Sequence, residues 1–216
     1  MKAEQRDRRD SRWDEHRRAR REQLVDATLA AVGQHGAGVG MDEIATAAGT
    51  SKTVVYRHFA DRSELYVAVC ARVAEQLTRK LREAMGSSSD PRQMVAAAVD
   101  TYLAFLEADP EVYRFVVSHS AAGTDGRDPI NSLSDLVGDE VGGLVAGFLG
   151  RAGQDTAPAA AWGHGVIGLV RAAADWWLRA DRPIPRAQLA TQLTDLAWSG
   201  LSGVVTPALR TTLEEK

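Results

Sequence analysis

A short segment of the chain combines side chains that bind phosphates and base edges. Lys52, Thr53, Tyr56, Arg57 and His58 fall within seven consecutive residues. Cationic side chains pair with phosphate oxygens, and lysine, arginine and threonine also donate hydrogen bonds to base edges. This spacing predicts a nucleic-acid contact surface on one short element. A helical hairpin that serves only packing is the alternative, and it leaves the cluster of cationic and aromatic side chains unexplained.

Two short helices joined by a glycine turn are predicted to position this segment. The first covers residues 41–48, and the second covers residues 52–59, with Ser51 as a favourable N-cap. Gly49 lies in the turn, where a backbone with positive φ favours glycine. Such a pair can place its second helix in the major groove of DNA. Thr50 and Ser51, at the entrance to that helix, complete the predicted contact set.

Positive charge is concentrated in the N-terminal part of the chain, although the formal net charge is −3. Residues 1–62 contain 12 Lys and Arg against 10 Asp and Glu, whereas the remaining residues contain 14 against 19. Arg17 and Arg18 begin a run of four arginines, and they are predicted to touch the DNA backbone or the minor groove. The alternative for this run is a solvated helix start. Residues 1–16 mix both signs of charge without apolar periodicity, which predicts a disordered arm.

The motifs around these helices resemble the DNA-binding region of the TetR family of transcriptional regulators. The matching features are IA-x-x-AG over Ile44–Gly49, Ser51-Lys52 at the opening of the second helix, and Tyr56–Phe59 at its end. The family usually has lysine where this chain has Arg62, and arginine keeps the charge while adding a fork geometry. The resemblance covers roughly residues 17–66. It implies DNA contacts through the second helix and through Arg62.

The rest of the chain is predicted to be helical as well. Helix-forming residues predominate, and no segment alternates polar and apolar residues as a half-buried strand would. We expect an all-α protein of about nine helices. The resemblance implies a three-helix helix-turn-helix head over residues 17–62 and a helical ligand-binding and dimerisation body over residues 63–216. The single cysteine, Cys70, excludes an internal disulfide. The charged N-terminus and the lack of a roughly 20-residue apolar run predict a cytoplasmic protein without membrane contact.

Two apolar stripes near the C-terminus predict either a dimer interface or further core. They lie on an eighth helix, about residues 157–180, and a ninth, about residues 186–205, which Pro207 is expected to end. The resemblance implies that these two helices pair with their copies in a second subunit, which requires a palindromic or near-palindromic operator. The stripes consist of Trp162, Val166, Leu169, Ala173 and Trp176 on one helix and Leu189, Leu193, Leu196, Gly200 and Val204 on the other.

Aromatic residues in the body form a candidate small-molecule site. Aromatic residues at helical spacing belong to a core more often than to a pocket, so both interpretations stay open. The resemblance implies a pocket in this body, and an apolar lining favours a fatty acyl or drug-like molecule over a sugar or a nucleotide. The predicted lining residues are Tyr102, Phe105, Phe115, Phe148, Trp162, Gly165 and Trp176.

Patterns that look like catalytic or cofactor motifs are interpreted as structural. Gly163–Gly168 matches G-x-G-x-x-G by letter, but Pro158–Trp162 predicts a helix before it rather than the strand that a nucleotide site needs. Adjacent residues such as Ser118 and His119 point about 100° apart on a helix, and no orienting third residue is apparent. The five histidines show no metal-ligand spacing with cysteine. We expect no enzyme activity, no cofactor and no metal.

These observations together predict a ligand-responsive TetR-type regulator. The expected protein is a homodimeric repressor that binds double-stranded DNA and leaves its operator when an apolar small molecule binds the body. A ligand-activated transcriptional activator is one alternative. A hydrolase that uses the cavity of the body is the other.

Overall fold

Nine α-helices, without a strand, account for the regular structure of the described part of this computed structural model. It describes the backbone of residues 2–120, 129–151 and 153–214, and the side chains of residues 14–117, 134–135, 137–151 and 153–200. The predicted all-α class is confirmed. The helices are α1 Lys2–His35, α2 Met41–Ala47, α3 Lys52–His58, α4 Arg62–Met85, α5 Pro91–Ala108, α6 Pro110–Ser120, α7 Pro129–Arg151, α8 Ala159–Arg179 and α9 Arg186–Glu214.

The chain forms two compact units that differ from a simple division at residue 62. The first unit contains the residues up to Val73 together with α6 from Glu111 onward. The second unit contains the residues from Ala74 to Pro110 and helices α7 to α9. The helix α4 therefore contributes residues to both units. A division by sequence motifs places the boundary at the start of α4, whereas contacts place it near the middle of that helix.

Apolar residues at helical spacing build the core of the first unit. Leu24, Val32, Ile44, Val55 and Phe59 are each at most 2% exposed. They come from α1, α2, α3 and the residue that follows α3, and these three helices contact one another pairwise. Burying a large apolar side chain stabilises a fold by about 1.5–3 kcal/mol. This core decides which sides of α2 and α3 face the solvent.

The helix α6 is attached to the first unit by polar and aromatic contacts. Glu111 accepts a hydrogen bond from the backbone N–H of Ala37, just beyond α1, at 2.9 Å. The hydroxyl of Tyr66 on α4 donates to the carbonyl oxygen of Val116 at 2.6 Å. The rings of Tyr66 and Phe115 lie 5.6 Å apart, centre to centre, in a tilted arrangement. These contacts join α6 to α1 and to the first part of α4.

The first helix is longer than the sequence indicated. It begins at Lys2, so residues 2–16 are helical rather than the predicted disordered arm. Lys, Ala, Glu, Gln and Arg in this stretch are strong helix formers, and they extend a helix that the buried residues from Leu24 onward already hold in place. Extending an existing helix costs far less free energy than nucleating a new one. Low hydrophobicity was therefore a poor guide to backbone conformation here.

Ion pairs join α5 and α9 in the second unit. Arg92 near the start of α5 pairs with Asp195 on α9, and Arg186 at the start of α9 pairs with Asp100 and Glu107 on α5. These pairs show that α5 and α9 run antiparallel.

Glycines allow α7 and α8 to cross closely. A Cβ atom at Gly163 would meet the carbonyl oxygen of Gly138 and would lie 2.8 Å from Cα of Gly142. Since real Cβ atoms do not approach a backbone so closely, this crossing requires glycine at position 163. The G-x-G-x-x-G pattern lies inside α8. Its first glycine, Gly163, allows the two helices to pack closely.

The end of α8 is fixed by a buried tryptophan. Trp177 is fully buried, and its indole Nε1–H donates to the carbonyl oxygen of Ile184 at 2.8 Å. A buried indole needs such a partner because its N–H would otherwise lose its hydrogen bond to water. This bond ties α8 to the segment that leads into α9.

The last helix departs from the sequence prediction in two respects. It continues through Pro207 to Glu214 instead of ending near Val205. Proline removes one backbone donor and crowds the preceding turn, but the residues after it, including Ala208 and Leu209, are good helix formers. The apolar stripe is also divided, because Leu189 and Leu193 are buried in their own chain while Leu196 is 58% exposed. No helix in the described part of the chain is long and apolar enough to cross a membrane.

Candidate nucleic-acid interface

The turn between α2 and α3 has the geometry that the sequence predicted. Gly49 adopts φ +60°, which confirms the left-handed turn. Ser51 occupies the N-cap position of α3 in an extended conformation, although its side chain makes no capping hydrogen bond. At the start of α2, the Glu43 carboxylate accepts from the backbone N–H of Gly40 at 3.0 Å. These local features set the relative positions of the two short helices.

The recognition helix α3 presents its predicted contact residues to the solvent. Val55 is fully buried and anchors the inner side of the helix. The outer side carries Lys52, Thr53, Tyr56 and Arg57, all of which are exposed. Tyr56 is 44% exposed, which is high for an aromatic side chain. Because Lys52 and Tyr56 are four residues apart, they lie on the same side of the helix.

The ammonium group of Lys52 is held by an acidic residue of α2. Lys52 Nζ lies 2.7 Å from Asp42 Oδ2, and both side chains are largely exposed. The hydrogen bond to Asp42 raises the pKa of Lys52 above its ordinary value. Lys52 is therefore presented to the solvent as one member of an ion pair. No spacing rule could have shown this, because the two residues belong to different helices.

Arg21 belongs to the arginine-rich start of α1, yet its side chain is bound to the end of α3. Its guanidinium donates to the carbonyl oxygen of His58 and to Glu64 Oε1, the latter at 2.8 Å. The guanidinium carbon also lies 4.2 Å from the centre of the Phe59 ring. Arg21 thus positions α3 relative to α1 and α4. Sequence reasoning grouped it with the other arginines because charge alone does not reveal such a role.

His58 is less cationic than its place in a basic helix suggested. It is half-buried, and its Nδ1 atom is buried without a hydrogen-bond partner. Burial lowers the pKa of His58, and the positive charges of Arg20, Arg21, Arg17 and Arg57 lower it further. A neutral imidazole near pH 7 can still donate or accept a hydrogen bond, but it adds no positive charge to the surface.

The segment from α3 to α4 is fixed by reciprocal capping. Asp61 accepts from the backbone N–H of Glu64 at 2.8 Å, and the Glu64 carboxylate accepts from the backbone N–H of Ala60 at 2.6 Å. The bond from Ala60 is the main cause that lowers the pKa of Glu64, and Arg21 lowers it further. Arg62, exposed at the start of α4, donates through one guanidinium nitrogen to the carbonyl oxygen of Val39 at 3.0 Å.

The remaining predicted DNA contacts lie around the turn and on α1. Thr50 is half-buried and Ser51 is exposed. Arg17 and Arg18 are exposed on α1, and Arg17 pairs with Asp14 at 3.3 Å. All ten predicted contact residues belong to the first unit.

Three of the predicted ligand-site residues lie in one apolar region of the second unit. Tyr102 and Phe105 on α5 are partly buried against a cluster formed by Leu77 and Leu81 of α4 and Val137 of α7. The ammonium of Lys80 lies 5.4 Å from the centre of the Phe105 ring. A second cluster, centred on Val145, Leu149 and Ala159, includes Trp162, and Val141 packs against both clusters. Tyr102, Phe105 and Trp162 thus belong to one continuous apolar region.

The other predicted ligand-site residues are placed elsewhere. Phe115 is 3% exposed and belongs to the first unit, where it packs against Tyr66. Gly165 is on the exposed side of α8, with no described atom within 4 Å of a Cβ added there. Trp176 is 52% exposed. Phe148 is partly buried under the guanidinium of Arg151, which lies 4.6 Å from its ring centre.

A polar groove between α7 and α8 was not predicted. It has a volume of about 460 Å³, and Ile167 is the residue that it shares with the apolar region around Tyr102. Arg171 donates to Ser134 at 3.0 Å, and His164 Nε2 lies 3.1 Å from Asp139. The groove is lined by Ser134, Asp135, His164, Ile167, Gly168, Arg171, Ala172 and Asp175.

The structure describes only some of the residues that resemble catalytic or metal-binding patterns. The side chains of Ser118 and His119 lie outside the described residues. Within the described part, no group of three or more His, Cys, Asp or Glu side chains could hold a metal ion.

Comparison with known protein families agrees with this architecture. Residues 24–69 match the model described as bacterial regulatory proteins, tetR family. Residues 80–208, more than half of the chain, match the model described as tetracyclin repressor-like, C-terminal domain. The first match covers α2, α3 and the glycine turn between them, and the second covers most of the second unit.

Individual relatives support the same assignment. An uncharacterised helix-turn-helix transcriptional regulator of Mycobacterium tuberculosis is 34% identical over 92% of this chain and 84% of its own. The transcriptional activator FasR of Mycolicibacterium smegmatis is 32% identical over 80% of this chain and 77% of its own. The structure of the regulator FadR from Bacillus subtilis in complex with stearoyl-CoA has a TM-score of 0.64 at 15% identity, and the match covers 83% of this chain and 98% of that one. The chain therefore belongs to the TetR family of DNA-binding transcriptional regulators.

Proposed function

We propose that this regulator is a homodimeric repressor that leaves a palindromic operator when an apolar small molecule binds its second unit. A fatty acyl compound or a hydrophobic drug is the effector class that the lining residues favour. As a protein that acts on chromosomal DNA, it would work in the cytoplasm. The proposal assigns no catalytic step to the protein.

The exposed side of α3 supports the DNA contacts in this proposal. Lys52 and Thr53, near the start of the helix, are assigned to base edges, while Tyr56, Arg57 and Arg62 are assigned to the phosphate backbone. His58 is assigned a neutral hydrogen bond to the backbone because of its lowered pKa. Arg17 and Arg18 are assigned to the backbone or to the minor groove. Thr50 and Ser51 lie at the entrance to α3 and are assigned to phosphates.

Exposed apolar residues on the last two helices support the proposed dimer. Trp176 on α8 and Leu196 on α9 are 52% and 58% exposed, and large apolar side chains are not favourable in contact with water. Gly165, Gly168 and Gly200 have open space beside them, which would let a second helix approach closely. A two-fold dimer would place its recognition helices about 34–36 Å apart, one turn of DNA.

The apolar region around Phe105 carries the proposed effector response. It includes Leu77 and Leu81 of α4, and the same helix begins at Arg62 in the first unit. A ligand that packs against this part of α4 can therefore favour one arrangement of the helix over another. Lys80 adds a cation beside the Phe105 ring, which suits an amphipathic ligand with an acidic end.

One of the similar structures favours an acyl effector, and one relative suggests a second regulatory outcome. The Bacillus subtilis FadR was solved with stearoyl-CoA. The FasR protein is an activator, so an activator that binds DNA better with ligand is the second candidate for this chain. The sign of the ligand effect on DNA affinity distinguishes the two candidates.

The test uses the full-length dimer and a DNA duplex selected from a random library by the wild-type protein. Operator affinity is measured by fluorescence anisotropy with and without a panel of acyl compounds and hydrophobic drugs. The variant Ala98→Leu would add bulk to the apolar region, and Ala71→Leu on the exposed side of α4 is the matched control. We expect an acyl compound to weaken operator binding by wild type and by Ala71→Leu, with a smaller effect on Ala98→Leu.

Four results would contradict parts of the proposal. Selection of no duplex would remove the operator, and affinity that is insensitive to a severalfold rise in salt would remove the phosphate contacts. A panel without any effect on DNA affinity would leave a constitutive DNA-binding protein. Stronger operator binding in the presence of ligand would replace the repressor with the activator.

A further inference from the structure

We propose that Asp42 and Lys52 act as one unit that reads a G·C base pair in each operator half-site. This inference rests on the proposed placement of α3 in the major groove. It adds a residue of α2 to the set of residues that determine sequence specificity. Neither the helix-turn-helix motif nor the charge pattern of the chain assigns such a role to an acidic side chain.

The geometry places a hydrogen-bond donor directly beside an acceptor. Lys52 Nζ and Asp42 Oδ2 are 2.7 Å apart, and the two side chains are 47% and 78% exposed. Lys52 is the first residue of α3, and Asp42 lies in the first turn of α2. The pair therefore lies on the surface that also carries Tyr56, and neither side chain is shielded by the core.

A G·C pair offers the complementary arrangement in the major groove. Guanine presents two acceptors, O6 and N7, and its paired cytosine presents the N4 amino donor next to them. Lysine is a frequent partner of the guanine acceptors, and aspartate accepts from the cytosine amino group. An A·T pair also offers an acceptor beside a donor, N7 and N6 of adenine, but adenine gives the ammonium only one acceptor where guanine gives two, so the A·T pair fits less well.

An acidic side chain in the first turn of α2 also stabilises that helix through the helix dipole, and Glu43 in the same turn already supplies one. Exposed ion pairs contribute little to fold stability. A free carboxylate close to DNA is repelled by the phosphates, so its presence next to a recognition lysine weakens binding to every sequence unless a base donor compensates it. The pair also restrains the flexible stem of Lys52, which lowers the entropy that the lysine loses when it contacts a base.

The test compares base-pair preferences of full-length variants by selection from a random duplex library. The variants are Lys52→Ala, Asp42→Ala and Asp42→Asn. Asp26→Asn is the matched control, because Asp26 is an exposed carboxylate of the same unit that pairs with Arg72 at 3.9 Å. Thermal unfolding of each variant checks that the fold is retained.

We expect the wild-type protein to prefer G·C at one position of each half-site by about tenfold or more. Lys52→Ala and Asp42→Ala should both lose the preference at that position and keep it elsewhere. Asp42→Asn should shift the same position towards A·T, because an amide can bond to adenine N6 and N7. Asp26→Asn should keep the wild-type profile.

Several results would overturn the inference. If Asp42→Ala strengthens binding to all duplexes alike, with a steeper salt dependence and an unchanged profile, Asp42 only neutralises Lys52. If Asp26→Asn changes the profile in the same way as Asp42→Asn, the cause is net charge. An Asp42→Ala profile that changes at a position different from that of Lys52→Ala also refutes a shared base pair. If the wild-type protein selects no duplex, the proposed operator binding fails as well, whereas selective binding with unaltered Asp42 variants rejects this inference alone.

Discussion

The guanidinium carbon of Arg21 lies 4.2 Å from the centre of the Phe59 ring. The same guanidinium donates to the carbonyl oxygen of His58 and to the Glu64 carboxylate. One side chain of α1 therefore holds the last residue of α3, the residue that follows it, and the first turn of α4. Arg21 therefore positions α3, although its charge alone would suggest a contact with DNA.

Replacement of Arg21 by lysine should destabilise the first unit while keeping its charge. Lysine lacks the planar group that stacks on Phe59 and the fork that bonds to two acceptors. We expect a loss of about 1–2 kcal/mol in denaturant unfolding and weaker binding to all duplexes alike. Arg18→Lys, at an exposed position of α1, is the control. Equal stability of the Arg21→Lys and wild-type proteins would show that the contact contributes little.

The free energy of unfolding should fall as the pH drops below the pKa of an ordinary histidine. Burial holds the pKa of folded His58 below the usual value of 6.5, so the unfolded chain binds a proton that the folded chain does not. This contribution is fully present above about pH 6.5 and is lost as the pH falls towards the lowered pKa. Thermal unfolding between pH 5 and pH 8 should show a smaller loss for His58→Gln, and parallel curves would contradict the assignment.

The two kinds of recognition-helix residue should respond differently to mutation. Lys52→Ala should alter preference among operator variants by ~1–3 kcal/mol at one position, because a base contact is lost. Tyr56→Phe should weaken all sequences alike, since it removes only a hydroxyl assigned to the backbone. Anisotropy titrations with a set of single-base operator variants measure both effects. Reordered preferences in Tyr56→Phe, together with unaltered preferences in Lys52→Ala, would reverse the assignment.

Glycine at position 163 should be essential for the packing of α7 and α8. A methyl group there would meet the backbone of Gly138 and Gly142, so Gly163→Ala should destabilise the second unit by about 2–3 kcal/mol. Gly143 is exposed on α7 with open space around it. Gly143→Ala should therefore stabilise the helix by about 1 kcal/mol. Denaturant unfolding tests both, and equal effects of the two substitutions would argue against the close crossing.

A charge at Leu196 should weaken the proposed dimer without unfolding the protomer. Leu196 is 58% exposed, and burying a carboxylate in an apolar interface is unfavourable. Sedimentation should show dissociation of Leu196→Glu at concentrations at least about tenfold higher than for wild type. Leu144→Glu, at an exposed leucine of α7, serves as the control. A fully dimeric Leu196→Glu protein would exclude this residue from the interface.

Local signals in the sequence predicted the helix-turn-helix and several helix ends. Gly49 required a left-handed turn, as the structure confirms. Asp61, which caps the start of α4, and Pro91, in the first turn of α5, are local signals of the same kind. These features depend on a few neighbouring residues, so a single sequence contains the necessary information. Residues 2–16 and Pro207 show the reverse case. Their helical conformation depends on the longer helix to which they belong, and local composition suggested otherwise.

Contacts between distant residues could not be predicted in the same way. The pair of Asp42 and Lys52 and the cluster around Arg21 each join separate helices, so their geometry appears only after packing. The ligand-site prediction had the same weakness. Its aromatic residues were chosen by type, and the structure places Phe115 in the first unit and exposes Trp176, because residue type does not determine which side of a helix faces a cavity.

The attachment of α6 to the first unit affects how this protein can be recombined with its relatives. Glu111 caps the chain just beyond α1, and the carbonyl of Val116 accepts from Tyr66. A chimera joined after Val73 would combine a foreign α1 and a foreign first part of α4 with the resident α6. It would lose the bond to Val116 unless the donor chain had a tyrosine at position 66, and it would lose the bond to Glu111 unless the donor chain placed a backbone N–H where Ala37 has one. The first unit therefore consists of two separate stretches of sequence. A functional chimera must exchange α6 together with the N-terminal helices.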